Sequence, residues 1–425
     1  MSTRRYPAYK PSGVEWLGEV PSHWDIAPYK RLVDIQNGAD HKNVEQDEGY
    51  PVIGSGGVFA HASEYLYDGE AVLLGRKGTI DKPLHVNGRF WTVDTMYWAK
   101  ITPGTSGKFA YYEALTIPFS YYSTSTALPS MTKGALGAHL VAQPPSDEQY
   151  TIAAFLDRET AKIDALIAEQ ERLIALLQEK RQAVISQAVT KGLDPTVPMK
   201  DSGVEWLGMV PEHWDTYGFL RGFNVVYRYP TYFDISYEQS GIPEIRGEAI
   251  GLDGQIVELD DMRFISPKTN SKFPMTQLAL NDLVMSVRGT LGKIGLVDEK
   301  FVGANITANL LRLSPDPSLV RAEFLVWLMR AELFTIQLDL VSSQTTIKTV
   351  TVPQLGQIKI PVPSLQEQKD ITTFLKHECQ KMEGLKEEAN KAITLLRERR
   401  AALISAAVTG KIDVRAAGAA AQEAA

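Results

Sequence analysis

The chain is written twice, and that repeat restricts what it can fold into more than any other feature. Residues 12–25 read SGVEWLGEVPSHWD and residues 202–215 read SGVEWLGMVPEHWD, so twelve of fourteen positions are identical at an offset of 190. Further on, EKRQAVISQAVT (179–190) matches ERRAALISAAVT (398–409) at an offset of 219. Upstream of that pair, Glu148, Gln149, Ile152, Phe155 and Leu156 answer to Glu367, Gln368, Ile371, Phe374 and Leu375. Between these anchors Lys77-Gly78-Thr79 aligns with Arg288-Gly289-Thr290 at an offset of 211. The growing offset puts roughly 29 extra residues inside a diverged middle of the second copy, as a sequence repeat read this way allows. Ends and helices are nearly duplicated while interiors differ, the pattern expected when scaffold parts must be alike and reading parts must not.

Each copy has the same order. A WLG…HW segment comes first, then a stretch rich in Gly, Pro, Tyr, Val and Ile. Short apolar runs such as 71–74 (AVLL) and 283–285 (LVM) read there as strands bounded by turns. A proline-containing stop follows, Pro144-Pro145-Ser146 or Pro361-Val362-Pro363-Ser364. Its serine is placed to cap a helix that opens with acidic or amide residues, and Gly192 and Gly410 are placed to close those helices. The spacing predicts an α+β protein: two globular modules of mixed strands and short helices, separated by two long helices that form an antiparallel coiled coil with pseudo-two-fold symmetry. The boundaries expected are 1–145 for the first module, 146–194 for a central helix, 195–363 for the second module, 364–415 for a C-terminal helix and 416–425 for a disordered tail.

An alternating three–four spacing along the first helix picks out Ile152, Leu156, Ile163, Leu166, Leu173 and Leu177. Along the second it picks out Ile371, Leu375, Met382, Leu385, Leu396 and Leu403. Such a stripe sustained over about five heptads predicts a coiled-coil seam. A helix of about 43 residues is a rod on the order of 65 Å and needs a partner face to be stable. An antiparallel register with Glu159 facing Arg399 and Lys180 facing Glu378 would make the charges opposite.

Composition narrows the function. At 425 residues, 44% hydrophobic and 22% charged, the chain is long enough for two or more cores. One cysteine, Cys379, excludes an internal disulfide framework and any Cys-rich zinc site, and fits a reducing cytoplasm. No apolar run has the length of a membrane span, and no apolar stretch after the N-terminal arginines reads as a secretion signal. The formal charge of −7 is not that of a protein gripping nucleic acid by charge alone. Catalytic signals are thin. Gly54-Ser55-Gly56-Gly57 is not followed by a helix start, no His/Asp/Glu cluster has metal-ligand spacing, and His23 and His213 belong to the repeated scaffold segment.

Two dissimilar modules at a fixed separation suit an asymmetric two-part DNA site, because base edges are presented once per helical turn. The WLG…HW opening, PVIGSGG (51–57), the turns 75–79 (GRKGT) and 288–292 (RGTLG), the stop IPVPSLQEQ (360–368) and the paired helices resemble the specificity (S) subunit of type I restriction-modification systems. The resemblance implies two target-recognition domains, each reading one half of a bipartite sequence in double-stranded DNA, on a subunit that is itself non-catalytic. It implies docking of two methyltransferase subunits, and of restriction (translocase) subunits in the full complex. S-adenosylmethionine, ATP and Mg would belong to those partners, with no cofactor or metal on this chain. Basic residues beside glycine turns suit contact with phosphates or guanine edges, which makes Arg76, Lys77, Thr79, Arg288, Thr290 and Lys293 the candidate DNA-binding residues. Solvated loop charges and turn-satisfying hydroxyls are the competing reading of the same six. Aromatic pairs such as Tyr111-Tyr112 and Tyr121-Tyr122 read as core rather than base-stacking platforms, and Trp16, Trp24, Trp206 and Trp214 as scaffold anchors. The competing functions are a coiled-coil scaffold that touches no DNA, which the acidic charge favours, and a stand-alone methyltransferase or nuclease.

Overall fold

A computed structural model of the 425-residue chain describes residues 5–123, 129–205, 207–228, 235, 237–251, 253–343 and 347–415. Trp206 and the tail 416–425 lie outside the described residues. The chain divides into two compact units, one made of Met1–Glu171 with Asn390–Ala425 and the other of Arg172–Ala389. Each unit therefore contains one mixed-strand module and one half of each long helix, Ser146–Lys191 and Leu365–Val408.

The two modules repeat one topology. In the first, an antiparallel sheet runs in the order Leu84–Val86, Ala71–Gly75, Met96–Ile101, Val33–Asn37. In the second the order is Ile294–Leu296, Leu283–Ser286, Leu310–Pro315, Phe223–Arg228. The apolar runs seen in the sequence form the strands Ala71–Gly75 and Leu283–Ser286, buried at every residue, as continuous hydrophobic strands must be. A second sheet centres on a parallel pair, Tyr50–Gly54 with Arg89–Thr92 in the first module and Ile242–Ile245 with Asn305–Ile306 in the other. Part of the extra length of the second module falls here. Strands Tyr50–Gly54 and Gly57–Ala62 are joined by two residues, whereas their counterparts Ile242–Ile245 and Arg263–Ile265 are joined by residues 246–262.

Within the first unit the early turns of the first long helix pack on the last turns of the second, with Ile152 and Leu156 in one core with Ile404, Ala407 and Val408. Within the second unit Ile185, Ala188 and Val189 share a core with Ile371, Leu375 and Cys379. The helices are therefore antiparallel in both. The buried stripe departs from the expected one at three of its twelve positions. Ile152, Leu156, Ile163, Ile371, Leu375 and Met382 are buried and Leu177, Leu396 and Leu403 half-buried, but Leu166, Leu173 and Leu385 are 45%, 41% and 41% exposed. Their neighbours Ile167 and Ile174 turn inward instead, as do Thr160, Cys379 and Ile393. Doublets such as Leu166-Ile167 and Leu173-Ile174 satisfy either phase, and a helix at 3.6 residues per turn drifts from a strict heptad. The expected ion pairs change accordingly. Glu159 is bound by Arg158 (3.0 Å) and Lys162 (2.9 Å) of its own helix, and the pairs across the helices are Asp164–Arg400 (2.8 Å) and Glu171–Arg397 (3.3 Å).

The duplicated motifs act as clamps between module and helix. Gln149 is buried; its Oε1 accepts from the Ser106 amide (3.1 Å) at the N-terminus of helix Gly107–Ala114, and its Nε2 donates to the Pro144 carbonyl (3.0 Å). Gln368 repeats this, accepting from the Arg321 amide (2.7 Å) and donating to the Leu319 and Pro363 carbonyls (both 2.9 Å). One amide side chain thus satisfies orphan groups at a helix start and in the proline stop. Beside it, His23 bonds Glu148 (2.9 Å) and His213 bonds Glu367 (2.7 Å). The Trp214 indole donates to Glu367 (3.1 Å). In the first copy Tyr6 takes that carboxylate (2.5 Å to Glu148), and the buried Trp24 Nε1 has no hydrogen-bond partner among the described residues. Ser364 forms a reciprocal capping box with Glu367, whereas the first helix begins at Ser146 itself. Gly192 and Gly410, both at positive φ (78° and 70°), end the helices against Trp214 and Trp24. A Cβ at Gly410 would lie 3.0 Å from the Trp24 ring, so the glycine and the tryptophan of the repeat are one contact.

Replacing Gln368 by Leu orphans the Arg321 amide and two carbonyls, and should cost about 3 kcal/mol, at roughly 1–3 kcal/mol per buried orphan, read as a lower thermal midpoint. Burial pushes the Glu367 carboxyl up, but hydrogen bonds from His213, Ser364 and Trp214 outweigh it and hold it near about 2. A depressed carboxylate adds stability that is complete above its ordinary value and is lost as pH falls towards the folded value. The wild-type thermal midpoint should therefore fall more steeply than that of Glu367→Gln between pH 4.5 and about 2; parallel curves would exclude this linkage.

Candidate nucleic-acid interface

The glycine turns follow the fully buried central strands, so the fold delivers them to the module edge. Both are pinned in the same way. In the first unit the Gly78 amide donates to the Pro129 carbonyl (2.9 Å), the Met131 amide to the Arg76 carbonyl (2.9 Å), and Lys77 bridges Ser130. In the second unit Gly289 donates to Lys348 (3.0 Å), Val350 to Val287 (3.0 Å), and Arg288 bridges Thr349. The alignment of Lys77-Gly78-Thr79 with Arg288-Gly289-Thr290 is thus a structural equivalence.

Their side chains fare differently. Lys77 and Thr79 are exposed. Arg76 is half-buried and engaged with its own loop, donating to the Asp94 carbonyl (3.2 Å) and lying 5.7 Å from the Tyr97 ring centre. Arg288 and Thr290 are exposed, and Arg288 makes no side-chain hydrogen bond or ion pair among the described residues. Lys293 is half-buried, with Nζ on the Gly247 carbonyl (3.2 Å). Before the second turn, Ser286 Oγ donates to the Thr290 carbonyl (2.6 Å) and accepts from the Lys293 amide (2.9 Å). The first unit has Gly75 there, where a Cβ would sit 2.4 Å from the Thr79 carbonyl oxygen. The first turn is therefore tighter and has no room for the serine clamp.

In the second unit Arg288, Thr290 and Lys293 line one cleft of about 610 Å³ together with Glu244, Arg246 and Arg263. Arg246 is anchored by Asp261 (2.7 Å), and Arg263 lies 5.1 Å from the centre of the Tyr237 ring. Four cations and the carboxylates of Glu244 and Glu248 line this opening, a net positive lining on an acidic chain, suited to a polyanion. Arg246, Arg263 and Glu244 carry no motif and lie far from the glycine turn in sequence. The only signal for them was the extra length of the second copy, part of which falls between their strands.

The aromatic pairs divide. Tyr112 is buried and donates to Asp157 (2.7 Å), Tyr122 bonds His139 (2.9 Å), and Tyr121 is 79% exposed. Trp24 and Trp214 are buried, whereas Trp16 is 47% exposed, stacked on His139 with its indole on the Leu140 carbonyl (3.2 Å). Among the described residues no group of three His, Cys, Asp or Glu is placed to hold a metal, and no helix is long and apolar enough to cross a membrane.

Residues 21–175 and 255–394 match the family model for the type I restriction modification DNA specificity domain. The type I restriction enzyme EcoBI specificity subunit of Escherichia coli is 24% identical, over 95% of this chain and 89% of its own length. The putative type I restriction enzyme MjaX specificity subunit of Methanocaldococcus jannaschii is 21% identical, over 94% and 96%. A solved chain from work on complex assembly and conformational transition of the type I R-M system superposes with a TM-score of 0.69 at 16% identity, covering 92% of this chain and 98% of that one. The HsdS subunit from Thermoanaerobacter tengcongensis gives 0.54 at 14%, with the same coverage. At these identities the solved chains share the fold.

Replacing Ser286 by Gly, the residue of the first copy, removes both clamp bonds. It should cost about 1–2 kcal/mol and speed hydrogen exchange at the Lys293 amide; unchanged exchange would show that the clamp does not hold the turn.

Proposed function

Because the chain belongs to the type I restriction-modification DNA specificity family, we propose that each module reads one half of an asymmetric, two-part DNA sequence. DNA recognition is the role of this family, and the chain is a specificity subunit. The observation that carries the finer reading is the combination of a conserved turn with diverged surroundings. The same two backbone hydrogen bonds, closing the same antiparallel bridge, position Lys77 and Arg288, while the residues around them differ between modules, so two equivalent probes meet two different base sequences. Guanine O6 and N7 in the major groove are the natural partners of an exposed arginine such as Arg288, and Lys293 and Thr290 suit phosphates.

The long helices set the spacing between half-sites and offer surfaces for two methyltransferase subunits, with restriction subunits joining in the full assembly. Chemistry belongs to those partners: S-adenosylmethionine as methyl donor, ATP and Mg for translocation and cleavage. The acidic charge of the chain, −7, is in keeping with a subunit that shares the task of holding the phosphate backbone.

Assembled with its methyltransferase partner in a host free of DNA methylation, the chain should direct modification to a single motif of two specified parts separated by unspecified bases, read by sequencing that detects methylated bases. Arg288→Ala should relax one part by about 1–3 kcal/mol, or roughly tenfold to a hundredfold in discrimination, and leave the other as it was. Uniform weakening at all sequences would reduce Arg288 to a phosphate contact, and modification without any motif would remove the specificity role.

A further inference from the structure

The second sheet of each module contains one row of side chains that duplication did not preserve. In the first module Val52 stands opposite Ala60 on one neighbouring strand and Trp91 on the other. Val52 is fully buried and packs in an apolar cluster with Ala62 and Trp91. The same strand positions in the second module are taken by Glu244, opposite Arg263 and Asn305. An apolar row has become a charged and polar one inside a conserved topology, so the sheet itself does not require the carboxylate.

Glu244 is also poorly provided for. It is 2% exposed, yet among the described residues its Oε2 finds no hydrogen-bond partner, and neither does the buried Arg246 Nε two residues on. Burial pushes the Glu244 carboxyl up, and the neighbouring Tyr237, Arg263 and Arg246 only partly offset this. Leaving a carboxylate oxygen buried and unbonded destabilises a fold. Such a group persists where a ligand completes it. Glu244 lines the same cleft as Arg288 and Lys293, so a ligand drawn in by those cations meets an acceptor beside them.

Base edges in the major groove differ in the group they would present to that acceptor. Cytosine N4 and adenine N6 are amino donors there, whereas guanine and thymine present acceptors that a carboxylate repels. We propose that Glu244 is a specificity-determining residue of the second module, its carboxylate accepting a hydrogen bond from the exocyclic amino group of one cytosine or adenine in the half-site. Arg263, opposite it on the next strand, offsets part of the cost of burying that carboxylate, and Arg288 and Lys293 bind the flanking guanine edge or phosphates. The assignment rests on the reading of the chain as a DNA-specificity subunit and adds which base chemistry this cleft selects.

The test compares the full chain with its E244Q and E244V variants, each assembled with the methyltransferase partner, by mapping methylated motifs and by measuring duplex affinity for matched and single-base-changed sites. E244V installs the residue of the first copy and removes a buried carboxylate with one unpartnered oxygen, so its thermal midpoint should be no lower than that of the wild type. Both variants should keep one half-site intact and lose at least tenfold of the discrimination at a single cytosine or adenine of the other, and the position that becomes degenerate identifies which of the two bases is read. E244Q gives the same readout should E244V fold poorly. An unchanged motif in both variants, or a loss of affinity equal at matched and changed sites, overturns the proposal. A wild-type assembly that modifies DNA with no motif at all would instead sink the specificity reading, and leave the stability gain of E244V as the mark of a buried carboxylate with one unpartnered oxygen.

Discussion

Everything in each unit hangs on the place where the first turns of one long helix lie against the last turns of the other. There a module also attaches, through three contacts that recur. A buried glutamine, Gln149 or Gln368, bonds the N-terminus of a module helix and the proline stop. A histidine of the WLG…HW segment bonds the glutamate beside that glutamine. The tryptophan of the same segment closes on the glycine that ends the partner helix. Burying an aromatic of that size contributes on the order of 2–3 kcal/mol, and the amide bonds prevent losses of similar size. These contacts are mutually dependent, which accounts for why widely spaced motifs were duplicated together.

Against this fixed frame the modules vary where variation is tolerated. Their antiparallel sheets share strand order, and their glycine turns share backbone bonds. The differences gather in the second sheet and its connections, where the two-residue link of the first module becomes residues 246–262 of the second. That insertion carries Arg246, and next to it an apolar row gives way to Glu244, Arg263 and Asn305. The longest change lies in a connection, where length is tolerated at least cost, while Glu244 and Asn305 are buried changes in the sheet beside it.

Much of this was legible in the residues because it repeats or is periodic. The two copies, the α+β class, the antiparallel helices and the turns at 75–79 and 288–292 follow from identity at fixed offsets and from three–four spacing, both properties of the chain alone. The phase of the helix stripe was not legible. Leu166-Ile167 and Leu173-Ile174 satisfy either phase, and the half-burial of Ile167 and Ile174 in place of Leu166 and Leu173 was settled only by tertiary packing. Nor was the division of labour between Arg76, held by its own loop, and Arg288, exposed at the cleft, since both are arginines beside a glycine turn.

Sequence by itself therefore determined the duplication, the order of elements and the positions of the turns, because these rest on local propensity and on repetition along one chain. Tertiary structure alone decided the cleft. Glu244, Arg246, Arg263, Arg288 and Lys293 come from separate strands and connections, and only strand pairing brings them together. The meaning of Glu244 is tertiary too: a glutamate in a strand is unremarkable until its neighbours show it buried, with one oxygen unpartnered among the described residues, and standing where the other copy has Val52. Charge and burial are properties of a place in the fold, and that place is assigned by contacts no single stretch of the chain contains.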